Sequence, residues 1–140
     1  MTAQAIVNKL LEDGGTFVSA VLTDASRARL LAAVPPVHST VYAHHMTMAF
    51  DPDEATLAKY RPLEGQTVRL TVTAVAVDAQ GQAVLVGGDS ENEHPHVTIS
   101  CAEGVPAKYS NELLAKADWQ HINPFTLEAV VTIEPLESPV

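Results

Sequence analysis

The sequence predicts an α+β fold, in which antiparallel strands form two pseudo-symmetric lobes around a central cleft and helices lie outside. Apolar and polar residues alternate over several segments, most clearly over residues 66–77, as expected for strands with one buried face. Helix-like segments separate these strands. A strand, a loop and a helix also follow one another in the same order in both halves of the chain, which indicates a weak internal repeat.

Length and composition predict one domain, residues 1–140, because 140 residues with 46% hydrophobic content can bury a full core. No apolar run is long enough to span a bilayer, and no basic segment precedes an apolar stretch at the start of the chain, so we expect no membrane association. The single Cys101 cannot form an internal disulfide, which favours a reducing, cytoplasmic setting. We expect a monomer.

The charge balance restricts the partners that the protein is expected to bind. Eight Lys and Arg stand against 17 Asp and Glu, which gives a net charge of −9. Proteins that follow long nucleic acids usually carry a basic face, and an acidic surface repels a phosphate backbone. We therefore expect no extended double-stranded nucleic acid as a partner, and a nucleotide, a small oligonucleotide or an RNA end as the substrate.

The first half of the chain shows clear helix and strand signals. Apolar residues at helical spacing predict helices, and β-branched or alternating runs predict strands. Pro35-Pro36 ends the second helix. In chain order, we predict a helix over 3–12, a strand over 16–23, a helix that Asp24 or Ser26 caps and that ends at Ala33, a strand over 40–50 and a helix over 54–60.

The second half is predicted to contain more strand than helix. A long alternating strand over 66–77 is followed by the turn Asp78-Ala79-Gln80-Gly81, and the chain returns as a hairpin strand over 82–86. A polar, exposed loop is expected over 87–93. A strand over 96–101, a helix over 110–117 and a last strand over 125–133 complete the expected order.

Two similar motifs lie on predicted strands. They read His45-Met46-Thr47-Met48 and His96-Val97-Thr98-Ile99. Because successive side chains of a strand point to opposite faces, the His and the Thr of each motif share one face and the apolar residues point to the core. The alternative is that these residues form a polar sheet face that binds no substrate. We would favour this alternative for a single motif but not for the pair.

The four polar residues of the motifs suit phosphodiester chemistry without a metal. Histidine titrates near neutral pH, so one imidazole can act as a base while the other acts as an acid. Threonine hydroxyls can donate hydrogen bonds to phosphoryl oxygens. A zinc site is the competing hypothesis, built from His44, His45, His94 and His96. We disfavour it because adjacent strand residues point apart and no carboxylate or cysteine completes the set, so we expect no metal and no cofactor.

The segments around both motifs, residues 43–50 and 94–100, resemble the two-histidine (2H) phosphoesterase superfamily, most closely its small branch similar to the cyclic phosphodiesterase domains of tRNA ligases. The resemblance implies a hydrolase in RNA processing that opens a 2′,3′-cyclic phosphodiester of a nucleotide or short RNA end without a metal. It implies catalytic roles for four residues, His45, Thr47, His96 and Thr98. Two alternatives remain open: hydrolysis of a cyclic di- or oligonucleotide signal, and a non-catalytic nucleotide- or RNA-binding module.

Further residues are candidates for substrate binding. Lys108 is expected to neutralise phosphate, and Arg69 to contact phosphate from the polar face of its strand. Tyr109 either stacks on a base or lies in a solvated loop before the next helix, and the sequence favours neither of these alternatives. His94 lies two residues before His96, so it is expected on the same strand face, at the mouth of the cleft. His44 shares the parity of Met46 and is expected to point into the core.

Overall fold

The computed structural model describes residues 16–116 and 118–135, in which seven strands form one sheet. The predicted helix over 3–12 lies outside the described residues. The strands are β1 (Thr16–Leu22), β2 (Thr40–Val41), β3 (His45–Phe50), β4 (Thr67–Val77), β5 (Gly81–Gly87), β6 (His96–Cys101) and β7 (Gln120–Pro135). The described helices are α1 (Asp24–Ala33), α2 (Glu54–Tyr60) and α3 (Tyr109–Lys116), with a short 3₁₀ turn at Arg61–Leu63.

Six of these strands close into an antiparallel barrel. Their order is β6-β3-β1-β7-β4-β5, and β5 pairs again with β6. The short β2 pairs with β6 next to β3. Closure leaves each barrel strand with a partner on both sides, so no long edge is open to another chain. The expected α+β fold with antiparallel strands and outer helices is compatible with this architecture.

The barrel interior is the hydrophobic core. All six barrel strands contribute buried apolar side chains to one cluster, including Val18, Ala20, Met46, Met48, Leu70, Val72, Val84, Val97, Ile99, Leu127 and Ala129. Leu30 of α1 and Tyr60 of α2 belong to the same cluster. Because strand side chains alternate, the residues between these core positions face outward, and the outward positions of β3 and β6 are the His and Thr of the two motifs.

Helix starts follow ordinary capping chemistry. The Thr23 hydroxyl accepts a hydrogen bond from Ser26 N at 3.2 Å at the start of α1, and Asp53 accepts from Thr56 N at 2.8 Å at the start of α2. The expectation that Asp24 or Ser26 caps α1 is wrong. Thr23 is the residue with the extended backbone that a cap requires, at φ −65° and ψ 157°.

The predicted strand over 40–50 is two strands, because the backbone turns at Ala43. This residue has a φ of 48°, in the left-handed region, although it carries a side chain. Pairing with β6 continues through the turn: Tyr42 N–H donates to Ile99 O and Ala43 N–H to Thr98 O, both at 2.8 Å. The alternation of faces therefore restarts at His45.

The last strand is longer than the predicted 125–133, because β7 has a partner on each side. It pairs with β1 along its second half and with β4 from Gln120 onward. The register against β4 shifts between Val72 and Ala74, opposite Asn123-Pro124, where proline cannot donate a ladder hydrogen bond. Backbone hydrogen bonds to β4 at one end and to β1 at the other thus extend β7 beyond the segment in which apolar and polar residues alternate.

Among residues 16–116 and 118–135, no helix combines the length and the apolar character that crossing a membrane requires.

Candidate active site

A cleft of about 380 Å³ on the outside of the barrel contains both motifs. Its lining comprises Phe17, Tyr42, His44, His45, Thr47, Phe50, Asn92, His96, Thr98, Ala107, Lys108 and Asn111. The structure therefore brings together all four motif residues that the sequence singled out, together with Lys108. Among residues 16–116 and 118–135, no acidic side chain belongs to the lining, in contrast to the acidic composition of the whole chain.

The register of two neighbouring strands arranges the four motif residues. Met46 of β3 pairs directly with Val97 of β6 in an antiparallel sense, and both side chains are buried in the core. Continuing this register by one residue in each direction sets His45 opposite Thr98 and Thr47 opposite His96. The two histidines are then diagonal neighbours on one face, a relation that separates Cβ atoms by about 7 Å.

Aromatic side chains form the wall on the β1 side. The Phe17 ring meets the His45 ring edge to face at 5.4 Å between centroids, and it contacts Phe50 at 6.2 Å. Phe50 is 66% exposed, which is unusual for so large an apolar side chain. This wall limits the movement of His45 and offers a flat apolar surface at the edge of the cleft.

The opposite wall comes from the start of α3 and the loop before it, which contribute Ala107, Lys108 and Asn111. Tyr109 anchors this helix against the barrel. Its ring lies so close to Gly81 that a Cβ at that position would be 2.9 Å from Tyr109 Cδ2, so glycine is required there. The packing of Tyr109 on Gly81 therefore fixes the distance between α3 and β5.

A loop between β5 and β6 places Asn92 in the cleft. Ser90 Oγ donates to Thr47 O at 2.8 Å, Glu91 N–H donates to Met48 O at 2.7 Å, and Asn92 N–H donates to Ser90 Oγ at 3.1 Å. These bonds cover the part of β3 that extends beyond its pairing with β6. Asn92 thereby becomes a fixed amide at one end of the site.

His45 is held in its neutral form. Its Nδ1 lies 3.0 Å from Nδ1 of His44, and the two rings are nearly perpendicular, at 80°. Burial, reinforced by repulsion from His44 and His96 when these are protonated, lowers the pKa of His45 to about 4. At neutral pH the ring is uncharged and can accept a proton.

His96 has a different partner. Its Nδ1 lies 2.8 Å from the backbone oxygen of His94, and because a carbonyl only accepts, Nδ1 must carry the hydrogen. Burial lowers the pKa of His96, while this hydrogen bond acts in the opposite direction because it favours the imidazolium; the nearby His94 ring adds to the lowering. The tautomer of His96 is thus defined, with Nε2 left to interact with a ligand.

The hydroxyl of Thr98 is linked to the opposite wall. Thr98 Oγ1 lies 2.7 Å from the buried Ser110 Oγ, and it donates to Ala107 O over a longer distance of 3.3 Å. When the Ser110 hydroxyl donates to Thr98, the Thr98 hydrogen can turn from Ala107 toward a ligand. Ser110 therefore orients a motif residue, in addition to lying in the first turn of α3.

The prediction that His44 points into the core is wrong. His44 is exposed and lines the cleft beside His45. The expectation assumed unbroken alternation through residues 40–50, but the left-handed turn at Ala43 resets the faces. The adjacent His44-His45 pair was the only sequence signal for this contact.

Three of the four predicted substrate-binding residues do not line the cleft. Tyr109 is buried and its hydroxyl donates to Asp78 Oδ2 at 2.5 Å, so it is not available to stack on a base. Arg69 is exposed on β4, opposite Glu128. The His94 ring contacts Trp119 at 5.1 Å and does not line the cleft, and the His94 backbone oxygen accepts from His96.

Besides His44, six residues that were not predicted to bind substrate line the cleft, namely Phe17, Tyr42, Phe50, Asn92, Ala107 and Asn111. They come from separate parts of the chain. Only the pairing of distant strands brings them to one place, so no local pattern identifies them.

Within the described ranges, no group of three or more His, Cys, Asp and Glu side chains is arranged to hold a metal ion. His44, His45 and His96 all reach the cleft, but His94 packs against Trp119 and does not complete the set considered from the sequence.

No protein-family model matches the chain, and a search of curated proteins finds no match either.

Proposed function

We propose that this protein is a metal-independent phosphoesterase that hydrolyses a 2′,3′-cyclic phosphodiester of a nucleotide or of a short RNA end. The observation that carries the proposal is the antiparallel register at Met46 and Val97, which sets each motif histidine opposite the threonine of the other motif in one cleft. Two acid–base groups and two hydroxyl donors around one space match the needs of a phosphoryl group. The two-lobed pseudo-symmetry of the 2H resemblance stays a prediction.

The two histidines have different environments, which supports different roles. His45 has the pKa of about 4 and contacts another imidazole, so it is the base that takes a proton from water. Burial lowers the pKa of His96 as well, but the hydrogen bond to the His94 carbonyl opposes this lowering, so of the two histidines we assign His96 as the acid. Both rings use Nδ1 for these contacts, which leaves Nε2 for the substrate.

In the proposed reaction, the water oxygen bonds to phosphorus as His45 Nε2 takes one of its hydrogens. The bond between phosphorus and one ribose oxygen breaks, and His96 Nε2 gives its proton to that oxygen. Thr47 and Thr98 donate to the phosphoryl oxygens, where negative charge accumulates in the transition state. The Lys108 ammonium on the opposite wall adds positive charge to the cleft of a chain that is acidic overall.

The dimensions and lining of the cleft favour a small substrate with a base. A volume of about 380 Å³ lies at the lower end of the usual range for small-molecule sites. The exposed Phe50 and the neighbouring Phe17 offer an apolar face against which a nucleobase can stack. The net charge of −9 disfavours a long polyanion.

The test is hydrolysis of nucleoside 2′,3′-cyclic phosphates by the purified protein in the presence of EDTA. We expect turnover, and we expect His45→Ala and His96→Ala each to lower it by roughly 10²-fold or more. The control is His121→Ala, which removes an exposed histidine of β7 outside the cleft lining.

Four outcomes would contradict the proposal. Activity that is lost in EDTA and restored by zinc or manganese would favour metal catalysis. Full activity in either histidine variant would exclude paired acid–base catalysis. In a substrate panel, cleavage of cyclic dinucleotides alone would identify the alternative hydrolase, and nucleotide binding without any turnover would identify a binding module.

A further inference from the structure

His44 and His45 form a contact that constrains the hydrogens on both rings. Their Nδ1 atoms are 3.0 Å apart, which is hydrogen-bond distance. A hydrogen bond between two neutral imidazoles needs one N–H and one lone pair. One ring must therefore carry its hydrogen on Nδ1, and the other must carry it on Nε2.

The backbone holds both rings at this contact. The His44 carbonyl accepts from Leu22 N at 2.9 Å, and His45 pairs with Val21 of β1. Just before them, the left-handed Ala43 donates its N–H to Thr98 O at 2.8 Å. The approach of the two rings is thus part of the barrel structure, because β1 and β6 fix the chain on both sides of the pair.

The surroundings decide which ring is the donor. His44 is exposed, so a hydrogen on its Nε2 can be solvated by water, and Nε2–H is the more stable tautomer of an imidazole side chain in water. Its Nδ1 then accepts. His45 is half-buried between Phe17 and the cleft, so its Nδ1–H donates to His44 and its Nε2 keeps a lone pair.

We propose that His44 is a positioning residue that accepts the Nδ1–H of His45 and so holds His45 in the tautomer whose Nε2 can take a proton. His44 thereby does for His45 what the His94 carbonyl does for His96. In the part of the chain that the structure describes, the remaining titratable or charged side chains of the cleft are Tyr42, His96 and Lys108, and no carboxylate lines the cleft as an alternative acceptor. The consequence for hydrolysis rests on the proposed function; the tautomer itself does not.

The first experiment reads the tautomers directly, without substrate. Long-range ¹H–¹⁵N NMR spectra of ¹⁵N-labelled protein at neutral pH distinguish Nδ1–H from Nε2–H for each ring. Two variants separate the acceptor from the ring: His44→Asn keeps an oxygen near the position of Nδ1, and His44→Phe keeps an aromatic ring without a nitrogen. Thermal melts test whether both variants fold. We expect both to fold, because His44 is exposed.

We expect His45 to be the Nδ1–H tautomer in the wild type and in His44→Asn, and to shift toward Nε2–H in His44→Phe. His96 is the internal control, because the His94 carbonyl holds its tautomer in every variant. An Nε2–H tautomer of His45 in the wild type, or an unchanged Nδ1–H tautomer in His44→Phe, would overturn the proposal.

The second experiment separates this proposal from the proposed function. With a 2′,3′-cyclic nucleotide, His44→Phe should lower kcat about tenfold or more with little change in KM, and His44→Asn should recover most of it, as for other residues that orient a catalytic histidine. Full kcat in His44→Phe would refute the positioning role while leaving hydrolysis intact. Tautomers that respond as expected in a protein without hydrolase activity would refute the function and keep the role of His44.

Discussion

At the residue scale, Ala43 shapes the site more than its small side chain suggests. It is fully buried, and its φ of 48° is what turns His44 into the cleft. A β-branched residue is strained in this left-handed conformation, so Ala43→Val should destabilise the protein by about 1–2 kcal/mol and impair hydrolysis. Ala43→Gly is the matched variant, because glycine adopts this conformation without strain. Urea unfolding and kcat measure both effects, and equal stability of the two variants would contradict this account.

The neutral state of His45 makes stability depend on pH. Its pKa is about 4 in the folded protein and 6.5 in the unfolded chain, so between these values the unfolded chain binds more protons. As far as His45 is concerned, the free energy of unfolding has its full value above pH 6.5, and it falls by up to about 3 kcal/mol as the pH is lowered toward 4. We expect His45→Gln to lose less stability than the wild type between neutral pH and pH 4, as measured by urea unfolding. Parallel losses would show that His45 is protonated in the folded state.

The pH dependence of hydrolysis follows from the same two rings. The active form has neutral His45 and protonated His96, so kcat/KM should fall on the acid side as His45 gains a proton and on the alkaline side as His96 loses one. Because burial lowers both pKa values, the optimum of this bell should lie below neutral pH. A kcat/KM series with pH measures this, and a monotonic rise to alkaline pH would point to a single base.

At the scale of elements, the loop between β5 and β6 is fastened from outside the barrel. The Tyr60 hydroxyl of α2 donates to Glu91 Oε2 at 2.8 Å, and Lys59 Nζ lies 3.3 Å from the same oxygen. Glu91→Ala removes both contacts, so Asn92 should be held less firmly and KM should rise several-fold. Stability should fall by about 1 kcal/mol, because the buried Tyr60 hydroxyl loses its acceptor, whereas the exposed ion pair with Lys59 contributes little.

The control for this loop is Glu93→Ala, which removes an exposed carboxylate two residues further along. Substrate kinetics of both variants at one ionic strength separate loop fastening from a general loss of negative charge. An equal rise of KM in both variants would show that charge, and not the contact with α2, sets the affinity.

At the scale of the whole molecule, charge is distributed unevenly. The chain carries −9 overall, whereas the cleft lining includes Lys108 and no acidic residue. For a short anionic substrate, added salt should leave kcat/KM nearly unchanged or raise it modestly, because it screens the repulsion from the acidic surface. A salt series at constant pH measures this. A steep fall of the rate would indicate release of counterions from a long polyanion and a wrong substrate class.

The local structure and the chemistry of the two motifs follow from the amino-acid sequence. Period-two alternation located β4 and the motif strands, and it placed His45 with Thr47 and His96 with Thr98 on outward faces, because side-chain direction along a strand depends only on neighbouring residues. Capping and turn residues located the described helices and the β4–β5 hairpin to within a few residues.

The way in which the strands and helices meet follows from long-range contacts in the folded protein. The pairing of Met46 with Val97 joins strands far apart in the chain, and hydrophobic alternation is compatible with many partners and registers. The positive φ of Ala43 leaves no trace in a hydrophobic pattern, so the place of His44 was unpredictable. The position of Asn92 in the cleft likewise depends on the hydrogen bond from Glu91 N–H to Met48 O. The orientation of Tyr109 depends on the hydrogen bond from its hydroxyl to Asp78. Periodicity is a local property, whereas a site on a closed barrel is defined by contacts between distant segments.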